Sequence, residues 1–177
     1  NELAAGADPL EVTAMSLHRW LGLRGRYAWL EVGTSVGRGY GPRLVAREEK
    51  PLDALEGARI ALPGAFTTAT LVARGLLPAF EEVQLDFREI LEAVRRGRVD
   101  AGVIIHEGQL TYADEGLVLL AELGERFAER HGGLPLPLGV NCVPRDLDPA
   151  LQHSIADAYR RSVQIADRKS TRLNSSH

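Results

Sequence analysis

One of the five histidines, His106, directly follows the unbroken apolar run Ala101 to Ile105, where the chain turns into Glu107-Gly108-Gln109. Such a run predicts a buried parallel strand, and in open parallel sheets ligands bind beyond the carboxyl ends of the strands. An imidazole titrates near neutral pH and suits proton transfer there. His106 is therefore our candidate general base. A structural histidine hydrogen-bonded in a turn is the alternative.

A second candidate site lies in Pro63-Gly64-Ala65-Phe66-Thr67-Thr68, between a predicted strand at Arg59 to Leu62 and a predicted helix at Thr67 to Ala73. The first amides of a helix favour an anion, and threonine hydroxyls add hydrogen-bond donors. Simple capping is the alternative, and it accounts for only one of the two threonines. Both uses are compatible, so Thr67 and Thr68 are candidate substrate-binding residues.

Other motifs carry less chemistry. Gly33-Thr34-Ser35-Val36-Gly37 matches the G-x-S-x-G nucleophile elbow, but the glycines and proline that follow exclude the helix that an elbow requires. The same glycines lack the spacing of a dinucleotide loop, and no phosphate-binding P-loop motif occurs. His106-Glu107 lacks the second histidine of a zinc helix, and the other histidines have no metal-type spacing with Cys142. We predict no metal site.

The elements that must position these residues alternate between strand-like and helix-like. The clearest helix is Phe87 to Arg96, with apolar residues at i, i+3, i+4 and i+7 and a capping pair at Asp86 and Glu89. Asp148 with Pro149 opens a last helix toward Ala166. This alternation predicts an α/β fold with mostly parallel strands. Further short elements are predicted as strands at Glu11 to Met15, Tyr27 to Val32 and Leu44 to Ala46, and as helices at Leu17 to Leu23 and Leu52 to Leu55.

Composition narrows the class of partner. The chain has 177 residues, 45% hydrophobic and 25% charged, with a net charge of −3 and both signs interspersed. No basic face indicates nucleic acid or an anionic membrane, and the apolar runs are too short to span a membrane. The single cysteine excludes an internal disulfide and is compatible with a reducing compartment.

The two ends depart from the pattern of a compact domain. Asn1 to Ala5 has the pattern of a helix end closed by Gly6, which predicts that the chain begins inside a domain. From Asp167 to His177 the apolar periodicity is lost, and this string resembles the translation of a sequencing adapter. We expect a truncated chain with a non-native tail over residues 167–177. A natural polar tail is the alternative.

Five blocks, in order, resemble the 1,4-dihydroxy-6-naphthoate synthase (MqnD) family of the futalosine route to menaquinone. The most specific block runs from Asp100 to Tyr112 and contains His-Glu-Gly-Gln-Leu-Thr-Tyr. The other four are Val12 to Ser16, Gly37 to Pro42, Pro63-Gly64 with Thr67 to Ala69, and Leu134 to Gly139.

The resemblance implies a type 2 periplasmic-binding-protein-like fold, with two α/β lobes around a cleft. It places the second lobe at residues 48–133 and a discontinuous first lobe at 1–47 and 134–166. The family's N-terminal block and its C-terminal helices are absent, so the first lobe is expected to be incomplete and the fragment itself inactive.

The resemblance also implies a function. The family splits cyclic dehypoxanthinylfutalosine, a small-molecule substrate, into 1,4-dihydroxy-6-naphthoate and a ribose-derived fragment, in the cytoplasm and without a metal or organic cofactor. His106 would be the general base, Thr67 and Thr68 would hold the substrate, and Ser16 and Ser35 are further cleft candidates. The oligomeric state stays open.

Three alternatives stay open at this point. A solute-binding protein of the same fold would bind a small anion without chemistry. A dehydratase related to the synthases shares the fold, but the block around His106 is not associated with it. An esterase would use Ser35 as its nucleophile.

Overall fold

The computed structural model describes residues 12–174 and their side chains up to Arg168. Short 3-10 turns cover Leu52–Leu55 and Phe87–Glu89. The strands of this range are β1 (Thr13–Ser16), β2 (Tyr27–Trp29), β3 (Ser35–Gly37), β4 (Arg43–Ala46), β5 (Arg59–Leu62), β6 (Glu81–Gln84), β7 (Ala101–Ile104), β8 (Val118–Glu122) and β9 (Leu136–Pro144). Its α-helices are α1 (Leu17–Leu23), α2 (Thr68–Leu76), α3 (Ile90–Arg95), α4 (Gly108–Thr111), α5 (Leu123–Arg130) and α6 (Pro149–Asn174).

The chain divides into two compact units. Within the described residues, the first unit takes residues 12–35 and 139–174, and the second takes residues 36–138. The lobe boundaries predicted from the sequence, at 47/48 and 133/134, differ from this division. Residues 36–47 group with the second unit because β4 is paired on both sides inside its sheet, with β7 and with β8.

The sheet of the second unit has the strand order β6-β5-β7-β4-β8. The pairs β5–β6 and β5–β7 are parallel, whereas β4 is antiparallel to both of its neighbours. The prediction of mostly parallel strands is therefore wrong. Only strands joined by crossover helices must run parallel, and β4 enters the sheet with no such crossover before it.

Alternate residues of these strands build two hydrophobic layers, one on each face of the sheet. Ile60, Leu62 and Val103 face α2 and α5. Ala61 and Ile104 face α3 on the other side. The strands read as nearly continuous apolar runs because both faces are covered, as in buried sheets generally.

The predicted helix at Phe87 to Arg96 forms in two parts. A 3-10 turn over Phe87–Glu89 leads into α3, and Asp86 caps the start by accepting a hydrogen bond from the backbone amide of Arg88. The buried face consists of Ile90, Ala93 and Val94. Phe87, which the helical periodicity placed on that face, is 37% exposed because the 3-10 turn rotates it away.

The sheet of the first unit is antiparallel where β9 pairs with β1 and with β2. Its core packs Met15, Tyr27, Val140 and Cys142 together. The predicted strands Glu11 to Met15 and Tyr27 to Val32 are found as the shorter β1 and β2. Glu11 and the predicted helix end at Asn1 to Ala5 lie outside the described residues.

Helix α6 extends the predicted last helix to Asn174 because neither glycine nor proline occurs after Pro149 to stop it. The side chains of residues 161–168 are exposed, and the side chain of Leu173 lies outside the described residues. None of the helices within residues 12–174 has the length and apolar composition to cross a membrane.

Candidate functional site

His106 lies two residues beyond the end of β7 in a left-handed backbone conformation, with φ at 55°. It is the one non-glycine residue with positive φ in the described part of the chain. Histidine adopts this conformation more readily than branched residues, but at a cost, and such residues cluster at functional sites. The carbonyl oxygen of His106 accepts from the amide of Gln109 at 3.1 Å, which closes a tight turn.

The imidazole of His106 is exposed and lies against one aromatic ring. Its centroid is 5.1 Å from that of Phe87, with the planes inclined at 65°. Within the described residues the imidazole makes no hydrogen bond. Its ring nitrogens are thus open to a ligand, while the edge-to-face contact favours one ring orientation.

Phe87 is anchored by its neighbours in sequence. Asp86 caps the turn that carries Phe87 and forms a two-pronged ion pair with Arg88, at 2.8 Å for each contact. The side-chain hydrogen bonds from Arg88 lower the pKa of the Asp86 carboxyl to about 2. Asp86 therefore stays charged, and the cap stays formed, at any pH near neutrality.

A polar network holds the segment that follows His106. The side chain of Gln109 donates to the carbonyl of Gly41 at 3.0 Å. The guanidinium of Arg43 donates to the carbonyl of Gln109 at 2.8 Å and to Glu122 at 3.1 Å. Glu122 also accepts from the amide of Gly124 and so caps α5. The turn is thereby tied to β4 and β8.

The glycine-rich loop serves this network rather than a nucleotide. A side chain at Gly41 would lie 2.9 Å from the Cα of Gly124, and a side chain at Gly124 would overlap the backbone of Tyr40. Two glycines therefore allow the chain to approach the start of α5. This approach places the carbonyl of Gly41 within reach of Gln109.

The two candidate threonines are hydrogen-bonded within the chain. Thr67 is the N-cap of α2, as predicted: its hydroxyl oxygen accepts from the amide of Thr70 at 3.1 Å. The hydroxyl of Thr68 donates to the carbonyl of Leu138 at 2.9 Å and is buried. The hydroxyl of Thr70 donates to Gly64 at 2.8 Å. Each of these hydroxyls has a structural role.

His106 and Thr67 leave the same edge of the sheet. They follow β7 and β5, which are parallel neighbours, so the carboxyl ends of both strands meet there. Thr67 begins a helix on one face, whereas Phe87, the ring in contact with His106, precedes a helix on the other face. The structure thus brings the two segments to one edge of the sheet. Within the described residues, no hydrogen bond or ring contact joins the imidazole of His106 to Thr67.

Ser16 and Ser35 belong to the first unit. Ser16 ends β1 opposite Gly139 of β9, and Ser35 begins β3, which also pairs with β9. A methyl group at Gly139 would lie 3.9 Å from the Cβ of Ser35. The structure brings these two serines near Gly139. Because β3 is a strand with no helix after it, the sequence argument against a nucleophile elbow at Ser35 is confirmed.

Two further observations concern groups of possible metal ligands and the one cysteine. Among the described residues no three His, Cys, Asp or Glu side chains lie close enough together to hold a metal ion. Cys142 is fully buried, and burial raises the pKa of its thiol to about 11, so it is not a nucleophile near neutral pH.

Sequence reasoning missed the residues that surround the candidate base. Arg43 and Glu122 are ordinary charged residues in the sequence, and only the register of β4 brings them together, since Arg43 lies opposite both Ile104 and Glu122. The helical periodicity predicts Phe87 on the apolar face of a helix, whereas its side chain is 37% exposed. The left-handed conformation of His106 had one sequence signal, the tight turn before Gly108.

The chain is similar to a known protein family over nearly its whole length. A family model described as "Menaquinone biosynthesis" matches residues 1–176. The 1,4-dihydroxy-6-naphthoate synthase of Thermus thermophilus is 44% identical over 161 residues, which cover 89% of this chain and 57% of that protein. The chain therefore spans little more than half the length of this relative.

Solved structures give the fold. A crystal structure of a protein from Archaeoglobus fulgidus superposes with a TM-score of 0.83 at 44% identity, and the match covers 90% of this chain and 59% of that one. The substrate-binding protein of an amino acid ABC transporter superposes with a TM-score of 0.60 at 14% identity, over 95% of this chain and 69% of that one. The predicted α/β, periplasmic-binding-protein-like fold with two lobes is confirmed.

Proposed function

Because the chain belongs to the menaquinone biosynthesis family, we propose that the gene product containing it converts cyclic dehypoxanthinylfutalosine to 1,4-dihydroxy-6-naphthoate. The reaction is a carbon–carbon bond cleavage with His106 as the general base. The proposal includes a cytoplasmic location, supported by the biosynthetic role of the family.

The observation that carries the proposal is the state of His106. Its ring is exposed at the carboxyl edge of a parallel pair of strands, hydrogen-bonded to no described group, on a backbone held at φ 55°. A structural histidine in a turn would be expected to use a ring nitrogen in that turn, and here only the backbone of His106 closes it. A proton acceptor needs an available nitrogen and a fixed position, and His106 has both.

The chemistry follows from an imidazole beside a substrate hydroxyl. The neutral ring nitrogen removes the hydroxyl proton, and the oxygen electron pair forms a carbonyl as the adjacent carbon–carbon bond breaks. The electron pair of that bond passes to the remaining fragment, which takes up the proton that the imidazole has removed. A positioned base contributes about 10²–10⁴-fold to such a step.

Substrate binding at the start of α2 is a second part of the proposal. The hydroxyls of Thr67 and Thr68 donate within the chain, so their contribution to a ligand would be a lone pair or an indirect effect through the helix terminus. An anionic group of the substrate suits the amide end of a helix. Ser16 and Ser35, which belong to the first unit, are further proposed substrate-binding residues.

The test is incubation of the purified gene product with the cyclic futalosine derivative, followed by absorbance and mass detection of the dihydroxynaphthoate. We expect each enzyme molecule to turn over many times, with one dihydroxynaphthoate formed for each substrate molecule consumed. Saturable binding without any product would instead support the solute-binding alternative, whose support here is a shared fold at 14% identity.

A further inference from the structure

We infer that Arg43 is a positioning residue for His106: its guanidinium fixes the turn that sets the direction of the imidazole. The catalytic part of this inference rests on the proposed function. The conformational part does not, because it concerns contacts within the second unit alone.

A continuous path of hydrogen bonds connects the two residues. Arg43 Nη1 donates to the carbonyl oxygen of Gln109 at 2.8 Å. The amide of the same Gln109 donates to the carbonyl oxygen of His106 at 3.1 Å. The peptide planes on either side of Gln109 are thus held from both ends, and His106 is the first residue of the turn they form.

Arg43 contacts the segment at a second point. Its guanidinium carbon lies 5.9 Å from the ring centroid of Tyr112, whose amide closes the short helix α4 by donating to Gly108 at 3.2 Å. A cation over an aromatic face is favourable at this distance. The arginine therefore spans the segment from Gln109 to Tyr112 and restricts it at both positions.

The opposite side of the guanidinium is anchored in the sheet. Arg43 Nε donates to Glu122 at 3.1 Å, and the side chain of Glu122 is only 8% exposed. The register explains this meeting, because Arg43 lies between Ile104 of β7 and Glu122 of β8. A planar fork can donate in two directions at once with little freedom, whereas the single ammonium of lysine cannot reproduce that geometry.

A residue that restrains a turn, as Arg43 does here, is expected where the backbone conformation of that turn is unfavourable. The left-handed backbone of His106 costs free energy, and it persists only if its surroundings impose it. Relaxation of the turn would change φ at His106 and move the ring nitrogen. A displacement of about 1 Å at a catalytic group can cost on the order of 10²-fold in rate.

The same strand supplies a matched control. Arg47 directly follows β4 at its other end, and its guanidinium donates to the carbonyls of Val94 at 2.7 Å and Val99 at 3.2 Å. It is the same residue type, it adjoins the same strand, and it likewise donates to backbone carbonyls, but at the sheet edge opposite His106. Arg43→Lys therefore weakens contacts at the sheet edge near His106, whereas Arg47→Lys weakens similar contacts at the opposite edge.

The experiment compares these two variants in the complete gene product by steady-state kinetics and by hydrogen–deuterium exchange. For Arg43→Lys we expect kcat to fall by about 10–100-fold with KM little changed, and the amides of residues 107–112 to exchange faster. For Arg47→Lys we expect wild-type kcat, with faster exchange confined to residues 94–99. An unchanged kcat in Arg43→Lys, or an equal loss in both variants, overturns the inference.

The exchange measurement separates this inference from the proposed function. If the wild-type protein does not convert the substrate, the proposed function fails, and the exchange of residues 107–112 alone decides on Arg43. Unchanged exchange there overturns the positioning role. Should Arg43→Lys fail to fold, Glu122→Gln replaces it, because it weakens the second anchor of the guanidinium. For Glu122→Gln we then expect a smaller fall in kcat and a smaller rise in the exchange of residues 107–112. If neither quantity changes, the inference is overturned.

Discussion

The ring of Phe87 lies edge-to-face against the imidazole of His106, with centroids 5.1 Å apart. No other ring contact to His106 is found within the described residues, so Phe87 is the aromatic side chain that restricts the orientation of the candidate base. We therefore expect Phe87→Leu to lower kcat by about 2–12-fold, which corresponds to the about 0.5–1.5 kcal/mol of an aromatic pair. Steady-state kinetics of the full gene product measures this.

The matched control for that change is Phe87→Tyr, which keeps the ring. Phe87 is 37% exposed, so there is room for an added hydroxyl near solvent. The tyrosine variant should retain nearly all of the wild-type kcat. Equal losses in the leucine and tyrosine variants would mean that the ring contact has no part in the effect.

The buried hydroxyl of Thr68 leads to a prediction about stability. It donates to the carbonyl of Leu138 at 2.9 Å, and the residue is 6% exposed. Thr68→Ala leaves that carbonyl without its donor, so we expect the free energy of unfolding to fall by about 1–3 kcal/mol. Urea denaturation measures it, and Thr68→Ser, which keeps the hydroxyl, should lose clearly less.

This result bears on the binding role of Thr68. The sequence predicts that Thr68→Ala mainly weakens substrate binding, whereas the structure adds a loss of stability. If Thr68→Ala raises KM at a temperature where the variant is fully folded, and Thr68→Ser does not, the substrate-binding proposal is supported. A stability loss with unchanged KM would restrict Thr68 to its structural role.

Gly102 sets how closely α3 packs on β7. A Cβ there would lie 2.5 Å from a methyl of Ile90 and 2.8 Å from a methyl of Val94, and both residues are fully buried. We expect Gly102→Ala to destabilise the protein by about 1–3 kcal/mol, the usual range for overpacking a core. Since α3 follows Phe87, kcat should fall as well.

A glycine in open space gives the control for Gly102. Gly75 lies within α2, where an added Cβ meets nothing within 4 Å. Gly75→Ala should raise the free energy of unfolding by up to about 1 kcal/mol, because alanine favours a helix over glycine. Thermal denaturation of the two variants compares them directly. A destabilised Gly75→Ala would show that the packing description of this unit is incorrect.

Local patterns in the sequence predicted the elements that carry the site. The apolar run before His106 gave β7, and the threonines after a glycine turn gave the cap of α2. Both depend on residues close together in the chain, where helix capping and burial on both faces of a strand leave clear signals. The family blocks added the two-lobed fold, which the solved structures confirm.

Long-range geometry was out of reach of the sequence. The antiparallel course of β4, and with it the meeting of Arg43 with Glu122, depends on a register between residues far apart in the chain. The exposure of Phe87 was missed because a helical periodicity cannot distinguish an α-helical first turn from a 3-10 turn. Strand β9, which pairs with β1, could not be recognised from its pattern. Prolines and a glycine interrupt its alternation of apolar and polar residues.

The most direct test of the central claim is the substitution of His106 by asparagine in the complete gene product. Asparagine tolerates the left-handed backbone that alanine would strain, so the variant removes the proton acceptor without disturbing φ. The measurement is the single-turnover rate of dihydroxynaphthoate formation, with substrate binding measured separately by calorimetry. We predict a rate lower by about 10²–10⁴-fold with affinity nearly unchanged. Equal rates in wild type and His106→Asn would contradict the assignment of His106 as the base.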